Sequence, residues 1–335
     1  MSESLGWGIV GTADVAQQVA SDLRLLDSAH LAAVCSRSAD RARAFADEHG
    51  VANSHGDVDE LLADDAVDIV YLATPHSAHS TLAIRSLEAG KHVLVEKPLG
   101  IDAADVAKVA DAARTAGRFA MEGMWMKFHP YYRALIAEVR SGVVGDVVSV
   151  RASFGLPFGA PDAPLWSAEL ASSTLLDQGI YPVTLAYDVL GAPSAVHASA
   201  RRRDDGVDLV DIATLHYAGG RFAQIAASMV GYLEPTASIS GVDGWLTIPP
   251  PFWATDRYTR HVGGIRDALM APESVAFSRE GFGYVPMLRA VSDAIADGLT
   301  EHPTHTLAHT LAVAEILDDI RRDAARNPDL QEATP

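Results

Sequence analysis

The chain has 335 residues, of which 48% are hydrophobic and 21% are charged, a balance typical of a packed globular protein and not of a disordered one. Its formal net charge of -18 argues against nucleic acid and anionic membranes as partners, because phosphate groups are bound by clustered lysine and arginine. The length predicts two domains, and the absence of any run of about 18 uncharged apolar residues argues against a membrane span.

Two features of the chain predict a cytoplasmic location. Cys35 is the single cysteine, which rules out an intramolecular disulfide and suits a reducing compartment. The first residues, M-S-E-S-L-G-W, contain no recognisable export signal. We therefore expect a protein of the cytoplasm.

The first predicted element is a strand from Leu5 to Val10 that runs into a tight turn and an amphipathic helix. This order is typical of a dinucleotide-binding unit. The literal G-x-G-x-x-G that starts at Gly6 would leave almost no strand, so the working fingerprint must start at Gly11. A plain structural turn explains this degenerate fingerprint equally well. The cofactor-binding residues predicted in the turn are Gly11, Thr12, Ala13 and Asp14.

The second predicted strand, Leu31 to Cys35, ends at Ser36 and Arg37. An NAD enzyme usually places an acidic residue at this strand end to hold the ribose hydroxyls, whereas an NADP enzyme supplies arginine for the 2′-phosphate. No acidic residue stands here, and Arg41 follows one turn later. Ser36, Arg37 and Arg41 therefore predict NADP in preference to NAD. The alternative is that Arg37 merely caps a surface loop.

Strands and helices continue to alternate, which predicts a parallel sheet with right-handed crossovers. Two later strands, Asp68 to Ala73 and His92 to Glu96, each end in a polar turn. The carboxyl ends of parallel strands share one edge of the sheet, where ligands bind. Pro98 fixes the second turn, with a cis bond as one option. The cofactor-binding residues predicted at this edge are Thr74, Pro75, His79, Glu96 and Lys97. For His79 and Lys97 the alternative is an ordinary exposed residue.

The predicted domain boundary lies near Gly123, which gives a dinucleotide-binding domain over residues 1–123 and a second domain over residues 124–330. An aromatic segment, M-W-M-K-F-H-P-Y-Y, follows the boundary and either lines a substrate pocket or joins the two domains. From Asp146 on, alternating runs predict antiparallel strands. The predicted fold is therefore an α/β Rossmann dinucleotide-binding domain followed by an α+β domain with a mainly antiparallel sheet.

A helix predicted from Leu175 to Leu190 contains Asp177 and Tyr181, which are four residues apart and share one face. Gly179 and Pro182 are poor residues for a helix interior, so we expect this helix to start late or to bend. Residues that disfavour the local secondary structure are expected at functional sites, where activity and not stability constrains the sequence. The alternative is a structural hydrogen bond between Asp177 and Tyr181.

Two later segments carry weaker predictions. Residues 257–272 contain glycine and show no periodicity, which predicts an irregular loop. The histidines at 302, 305 and 309 are expected along the exposed start of a helix and not around a metal. No metal site is predicted.

Six segments in chain order carry a resemblance to a known family. They are G-I-V-G-T-A-D-V-A, C-S-R-S, A-T-P-H-S-A-H, E-K-P-L-G, M-E-G-M-W-M-K-F-H-P and L-L-D-Q-G-I-Y-P. Over essentially its whole length the chain resembles the glucose-fructose oxidoreductase, inositol dehydrogenase and MocA family, nearest the branch of NADP-dependent D-xylose dehydrogenases and dimeric dihydrodiol dehydrogenases. E-K-P with a downstream D-x-G-x-Y is specific as a pair.

The resemblance implies that Lys97 and Tyr181 carry catalysis. Tyr181 would take the proton of a substrate hydroxyl while a hydride leaves the same carbon for the nicotinamide. An ordinary tyrosine is a poor base at neutral pH, and a neighbouring Lys97 ammonium favours its phenolate. Asp177 would orient the substrate or the lysine. The substrate-binding residues implied are Trp125, Trp166 and Asp177, with a further specificity loop around Trp253.

The resemblance also implies a sugar or cyclic diol substrate, NADP as cofactor, and a large open sheet whose outer face assembles a homodimer or homotetramer. Three departures from the family pattern stand out: Ala13 for the second glycine, Ser167 for an arginine, and Ala171-Ser172-Ser173 for a glycine triplet. The rival functions are another reductase or a redox-assisted glycosidase on the same scaffold, and a non-catalytic regulator that senses NADP. Retention of Lys97 and Tyr181 argues against the regulator.

Overall fold

The first half of the chain contains a six-stranded parallel sheet. The structure is a computed structural model that describes residues 4–158 and 166–327. The strand order is β3-β2-β1-β4-β5-β6. The strands are β1 (Leu5–Val10), β2 (Ala29–Cys35), β3 (Asn53–His55), β4 (Ile69–Leu72), β5 (His92–Glu96) and β6 (Ala120–Gly123). β4 and the centre of β5, Val93 to Val95, are apolar, since strands of a parallel sheet are buried on both faces.

Helices connect these strands, as the alternating pattern predicts. They are α1 (Asp14–Leu23), α2 (Ala39–His49), α3 (Val58–Leu62), α4 (His76–Glu88) and α5 (Ala103–Ala116). β1 pairs with both β2 and β4, so the strand order reverses beside β1. In open α/β sheets a ligand binds outside the carboxyl ends of the strands at such a reversal.

A second sheet of eight strands follows, in the order β14-β13-β12-β11-β7-β10-β9-β8. Its strands are β7 (Val147–Gly155), β8 (Ala195–Arg202), β9 (Asp208–His216), β10 (Phe222–Ser228), β11 (Ala237–Gly241), β12 (Gly244–Ile248), β13 (Arg257–Val262) and β14 (Glu273–Ala276). β7 and β10 run parallel, and every other neighbouring pair is antiparallel. The predicted fold class is therefore confirmed.

The helices of the second half are α6 (Pro130–Arg140), α7 (Ile180–Leu190), α8 (Ile265–Met270), α9 (Val285–Ala296) and α10 (Leu307–Ala324). α7 packs against β7 and β10. Along β9, Asp211, Ala213 and Leu215 are buried, while Ile212 between the first two and His216 after the last are exposed. This alternation is typical of a sheet with one covered face and one open face. None of the described helices is long and apolar enough to cross a membrane.

The chain forms two compact units that are not continuous in sequence. The first contains the residues up to Phe128 together with Arg279–Leu311, and the second contains His129–Ser278 together with the residues from Ala312 on. The first unit thus extends past the predicted boundary at Gly123 and includes α9. Two bonds explain this: the amide of Ala120 donates to the Thr300 carbonyl, and Asp22 accepts from the amide of Tyr284.

The predicted loop at residues 257–272 is wrong, because this segment contains β13 and α8. The sequence of β13 is polar, but its polar groups are matched by distant partners. Tyr258 is fully buried, and the guanidinium of Arg260 pairs with Glu138 on α6 and with Glu273 on β14. Such pairing is invisible to a local pattern, since Glu138 lies more than a hundred residues earlier.

Candidate active site

The turn after β1 requires a glycine. Gly11 has a φ of 113°, which L side chains rarely adopt, and a Cβ there would lie 2.2 Å from the carbonyl oxygen of Ala73. The amide of Gly11 donates to the Cys35 carbonyl at 2.9 Å. The ends of β1, β2 and β4 therefore meet at Gly11, where the chain turns into α1.

The N-termini of α1 and α4 have no side-chain cap. Ala13 precedes α1 and Pro75 precedes α4, and neither side chain accepts a hydrogen bond from its helix. By contrast, the hydroxyl of Ser38 caps α2. Uncapped amide groups at a helix start attract anions such as a pyrophosphate. Thr12 and Asp14 lie in the same turn, with Asp14 as the first residue of α1.

A nicotinamide dinucleotide fits this edge of the sheet. The glycine turn lets a ligand approach the backbone, and the start of α1 offers amide groups to a pyrophosphate. In addition, the Thr74 hydroxyl is buried without a hydrogen-bond partner among the described residues. A buried polar group of this kind needs a partner, which a ligand supplies.

Ser36, which is buried, and Arg37, which is exposed, follow the end of β2, and the exposed Arg41 lies in the first turn of α2. Within the described ranges neither arginine forms an ion pair with a carboxylate. The amide of Ser36 donates to the His55 carbonyl at 3.2 Å, which fixes the end of the strand. Asp40, the first acidic residue, is exposed on α2. Two guanidinium groups are thus available to an anion at this strand end.

His79 links two turns of the site. Its Nδ1 lies 2.7 Å from the carbonyl oxygen of Pro98, and its Nε2 lies 2.7 Å from that of Thr74. Burial lowers the pKa of His79 to about 4, assisted by neighbouring His76 and Lys97 and opposed by the two carbonyl groups. The ring is therefore neutral near pH 7 and donates to one carbonyl at a time. It holds the end of β4 to the turn after β5.

The Lys97 turn follows β5 and contains a cis bond between Lys97 and Pro98. Lys97 is half-buried, whereas its neighbours on both sides are buried. The hydroxyl of Tyr71 donates to Glu96 at 2.6 Å, and burial raises the pKa of the Glu96 carboxyl. On the other side, the amide of Leu99 donates to Glu122 at 2.9 Å. The residues that flank Lys97 are therefore fixed by buried side chains.

The segment before Tyr181 is a π-helical turn, Leu175–Gly179, which leads directly into α7. Pro182 has no N–H to offer to an i−4 carbonyl, and such an interruption is commonly absorbed by a π turn. Asp177 is half-buried and lies inside this turn, while Tyr181 is 5% exposed in the first turn of α7. The irregularity predicted from Gly179 and Pro182 is confirmed.

Asp208 on β9 holds the start of this segment. Its carboxylate accepts from the amide of Leu175 at 2.7 Å and from the hydroxyl of Ser173 at 3.0 Å. Its carbonyl accepts from the Thr174 hydroxyl at 2.8 Å. The nearby Asp211 is buried, which together with the Asp208 carboxylate raises its pKa well above the ordinary range. Ser173, a departure from the family pattern, thus serves as a link between α7 and the sheet.

Aromatic rings surround Tyr181 within the second unit. Phe154 and Trp253 stack with ring centroids 3.5 Å apart. The ring of Tyr181 lies 5.7 Å from that of Phe154 and 5.9 Å from that of Trp253. Phe154 and Trp253 thus form an aromatic wall beside the ring of Tyr181. Trp253 belongs to a predicted specificity loop, and Phe154 could have been found only from its position at the end of β7.

The two other predicted substrate residues lie in different surroundings. Trp125 starts a short 3₁₀ helix and stacks on Tyr284, with ring centroids 4.7 Å apart. Trp166 is 2% exposed and packs against Val207 and Met229. Its indole N–H donates to the Phe158 carbonyl at 2.8 Å. The contacts of Trp166 are those of a core residue, and its role toward a substrate stays a prediction.

The histidines near the start of α10 are expected along an exposed face, and this prediction is wrong. His305 is 1% exposed and its Nε2 lies 3.0 Å from Glu122, while His309 lies 2.8 Å from the Lys127 ammonium. His305 lies in the turn before α10 and His309 in the first turn of that helix, and both contact side chains of the first unit. Nothing in their sequence spacing showed their partners. In the described part of the chain, no group of three or more His, Cys, Asp or Glu side chains could hold a metal ion.

Comparisons with known proteins agree with this geometry. The family model described as oxidoreductase family, NAD-binding Rossmann fold (GFO_IDH_MocA) matches residues 5–124. The model of the GFO/IDH/MocA C-terminal domain matches residues 132–247. The trans-1,2-dihydrobenzene-1,2-diol dehydrogenase of Sus scrofa is 33% identical over 325 residues, which is 95% of this chain and 96% of that protein. The enzyme of the same name from Macaca fascicularis is 32% identical over 326 residues, with the same shares covered.

Two solved structures are also similar. One is a 3-ketoreductase from Actinomadura kijaniata in complex with NADP and TDP-benzene, with a TM-score of 0.85, 29% identity and 96% of this chain and 98% of that chain covered. The other is an aldose-aldose oxidoreductase from Caulobacter crescentus complexed with glycerol, with a TM-score of 0.87, 25% identity, and 97% and 98% covered.

Proposed function

Since the chain belongs to the GFO/IDH/MocA oxidoreductase family, we propose that it is an NADP-dependent dehydrogenase acting on a hydroxyl-bearing carbon of a sugar or a cyclic diol. The observation that carries the proposal is the connection between the Lys97 turn and the carboxyl end of β4, the edge of the sheet that suits a dinucleotide. His79 joins the Pro98 carbonyl to the Thr74 carbonyl, so the lysine stands beside the strand ends that suit a dinucleotide.

NADP is preferred over NAD because of the end of β2. Arg37 and Arg41 are exposed and without carboxylate partners in the described ranges, and no acidic residue takes the place that would hold a ribose 2′-hydroxyl. Arginine binds a phosphate through charge-assisted hydrogen bonds. Ser36 adds a hydroxyl at the same point. We assign Gly11, Thr12, Ala13 and Asp14 to the pyrophosphate and ribose.

The chemistry assigns one role to each catalytic side chain. Tyr181 accepts the proton of the substrate hydroxyl as the C–H bond of the same carbon breaks. Lys97 favours the phenolate form of a tyrosine by its positive charge and donates to the substrate oxygen. Asp177 orients the substrate or the lysine. A bound NADP would accept the hydride from the substrate carbon, so that the proton taken by Tyr181 and the two electrons of the C–H bond are both accounted for.

The aromatic wall beside Tyr181 supports a cyclic substrate. Phe154 and Trp253 lie within 6 Å of the Tyr181 ring and stack face to face, and they are 4% and 9% exposed, so a substrate would meet the exposed part of Trp253. Aromatic faces bind the apolar face of a carbocyclic or sugar ring, whose hydroxyl groups then point to polar neighbours. The similar proteins carry names of a diol dehydrogenase and an aldose oxidoreductase, which fits this class.

We also propose a cytoplasmic homodimer or homotetramer. The open face of the second sheet forms a broad hollow lined by side chains from β7, β9, β10, β11, β12 and β13. Ile212 on this face is 47% exposed, and uncharged side chains such as Thr214 and Gln224 surround it. A second copy of the chain would cover this surface. Sedimentation of the purified protein tests the assembly.

The function is tested by nicotinamide absorbance. Purified protein is mixed with NADP or NAD and a panel of aldoses, inositols and trans-diols, and imines and glycosides are included as substrates of the rival enzymes. NADPH formation with one substrate group is the expected result. Tight cofactor binding without turnover of any substrate would favour the sensing regulator, while turnover limited to imines or glycosides would favour the rival enzymes.

The cofactor choice has its own test. Arg37→Ala should raise the KM for NADP about tenfold and leave that for NAD nearly unchanged, because only NADP has the 2′-phosphate. Arg43→Ala is the matched control, since Arg43 is an exposed arginine on α2, the helix that follows the Arg37 turn. An equal change for both cofactors would contradict the assignment.

A further inference from the structure

A buried polar cluster lies behind the Lys97 turn in the first unit. It consists of Glu122 on β6, Lys127, His305, His309 and Thr310. Glu122 is 2% exposed, and Lys127 and Thr310 are buried as well. Buried ionisable groups are costly unless each finds a partner, so a cluster of this kind is seldom accidental.

Glu122 connects this cluster to the catalytic turn. One carboxylate oxygen accepts from the amide of Leu99, two residues after Lys97, at 2.9 Å. The other lies 3.0 Å from Nε2 of His305. Leu99 is fully buried, so its amide would have no partner without this carboxylate. Glu122 therefore replaces the backbone acceptor that a regular strand would provide.

His305 in turn fixes Glu122. Its Nε2 lies 3.2 Å from the Thr310 hydroxyl as well as 3.0 Å from the carboxylate. The contact with Thr310, a residue of α10, holds this edge of the ring in place. The rings of His305 and His309 meet edge to face with centroids 5.0 Å apart. The titratable groups that face Glu122 are Lys97, Lys127 and His309, and burial raises the pKa of its carboxyl against their influence.

The two sides of the Lys97 turn are thus held differently. His79 contacts the Pro98 carbonyl from the α4 side, and Glu122 holds the Leu99 amide from the β6 side. The β6 contact depends on a histidine 183 residues away in the sequence. An ammonium that must meet a reacting oxygen within a fraction of an ångström needs such support from both sides.

We propose that Glu122 and His305 are positioning residues for Lys97: the pair fixes the turn after β5 and thereby the place of the ammonium. The inference rests on the proposed function only in taking Lys97 as a catalytic residue. Neither side chain is assigned a contact with substrate or cofactor. Their role is to set the geometry of a residue that makes such a contact.

The test uses pairs of variants in the full chain. Glu122→Gln keeps an oxygen for the Leu99 amide, while Glu122→Ala removes it; His305→Gln keeps a donor for Glu122, while His305→Ala removes it. Ser292→Ala is the matched control, because Ser292 is buried in the same unit and its hydroxyl has no partner among the described residues. Thermal melting and NADP binding establish that each variant is folded.

Two readouts follow the position of Lys97. The first is the rate of trace acetylation of Lys97 by acetic anhydride, measured by mass spectrometry relative to the exposed Lys108. The second is the split between kcat and KM. Both alanine variants should speed Lys97 acetylation several-fold, because the loosened turn exposes the amine. They should lower kcat by about tenfold to a hundredfold with the KM for NADP nearly unchanged.

The glutamine variants should retain most of both properties, and Ser292→Ala should match the parent protein. Unchanged Lys97 acetylation and kcat in a folded Glu122→Ala or His305→Ala variant would overturn the proposal. If the alanine variants do not fold, Glu122→Asp decides, because it keeps the charge but draws the carboxylate back from the Leu99 amide. Faster acetylation and a lower kcat in that variant would support the proposal, and no change in either would overturn it. The acetylation result is independent of turnover, so an inactive parent protein would count against the proposed function alone.

Discussion

The Lys97 turn and the Tyr181 helix are held by opposite means. Each residue that flanks Lys97 is fixed by its own buried partner: Glu96 by Tyr71, Pro98 by His79 and Leu99 by Glu122. Tyr181 instead follows a helical segment that is held at its far end. The difference shows that each residue of an irregular turn needs its own partner. A residue on a helix is held by the regular backbone, so one contact at the helix start also fixes residues further along.

The supports of the two segments also respond to pH in opposite senses. His79 has a folded pKa of about 4, below its ordinary value of 6.5, so its neutral form is the one that the fold favours. Asp211, beside the Asp208 cap, has a pKa well above its ordinary value of 3.8, so the fold favours its protonated form. Acid therefore weakens the support of the Lys97 turn and preserves that of the Tyr181 helix.

The largest expected effect is that of Lys97→Ala. Removal of the ammonium takes away both the charge that favours the phenolate and a donor to the substrate oxygen. Turnover should fall about a thousandfold, equivalent to about 4 kcal/mol of transition-state stabilisation. Steady-state kinetics measure this, with circular dichroism as the check on folding. Turnover close to that of the parent protein would remove Lys97 from the mechanism.

Tyr181→Phe should follow, with a loss of about a hundredfold in kcat and little change in cofactor binding. The ring remains, so its packing against Phe154 and Trp253 is kept and the hydroxyl alone is tested. A solvent-exposed tyrosine, Tyr232, changed to Phe serves as the control. If Tyr181→Phe affected only KM, its hydroxyl would bind substrate without moving a proton.

The cap of the Tyr181 helix should matter less. Asp208→Ala leaves the amide of Leu175 and the hydroxyl of Ser173 without their acceptor, and we expect a loss of about 1–2 kcal/mol in the free energy of unfolding. The kcat should fall about tenfold, because the helix start shifts. Asp208→Asn keeps an oxygen acceptor and should restore most of both. Equal losses in the two variants would show that charge is what matters here.

The last prediction concerns stability alone and its dependence on pH. Between pH 6.5 and about 4 the unfolded chain binds a proton at residue 79 that the folded chain does not, so the free energy of unfolding falls with pH. For this group the loss from pH 7 to pH 5 is about 2 kcal/mol. His79→Gln should remove that part of the slope in urea unfolding at both pH values. A slope that stays the same would show that His79 is not neutral when folded.

Much of the first unit could be read from the sequence because its signals are local. An apolar run that ends in a polar turn predicts a buried parallel strand and places Lys97 at the edge of a sheet. Gly11 was found in the same way, as the residue that starts a turn after the first strand. In the second unit, Pro182 predicted an irregular helix start because proline lacks an N–H wherever it occurs.

Other features depended on partners that are distant along the chain. β13 and α8 lie in a segment without periodicity, and Arg260 is accommodated there because Glu138 lies opposite. Trp166 is an aromatic residue in a loop, a position that suits substrate binding, and its burial against Met229 became visible only in three dimensions. His305 and His309 have the spacing of a helix face, but spacing does not say which face is buried.

The sequence by itself determined the order of strands and helices and the glycine turn. It also placed Lys97 at a strand end, and Asp177 and Tyr181 on one helical segment. These follow from side-chain periodicity and backbone restrictions, which act over a few residues. Only the tertiary structure decided that Glu122 meets His305, that Asp208 caps the Tyr181 helix and that α9 joins the first unit. The physical reason is that a buried polar group must be paired, and its partner is selected by packing and not by nearness in the chain.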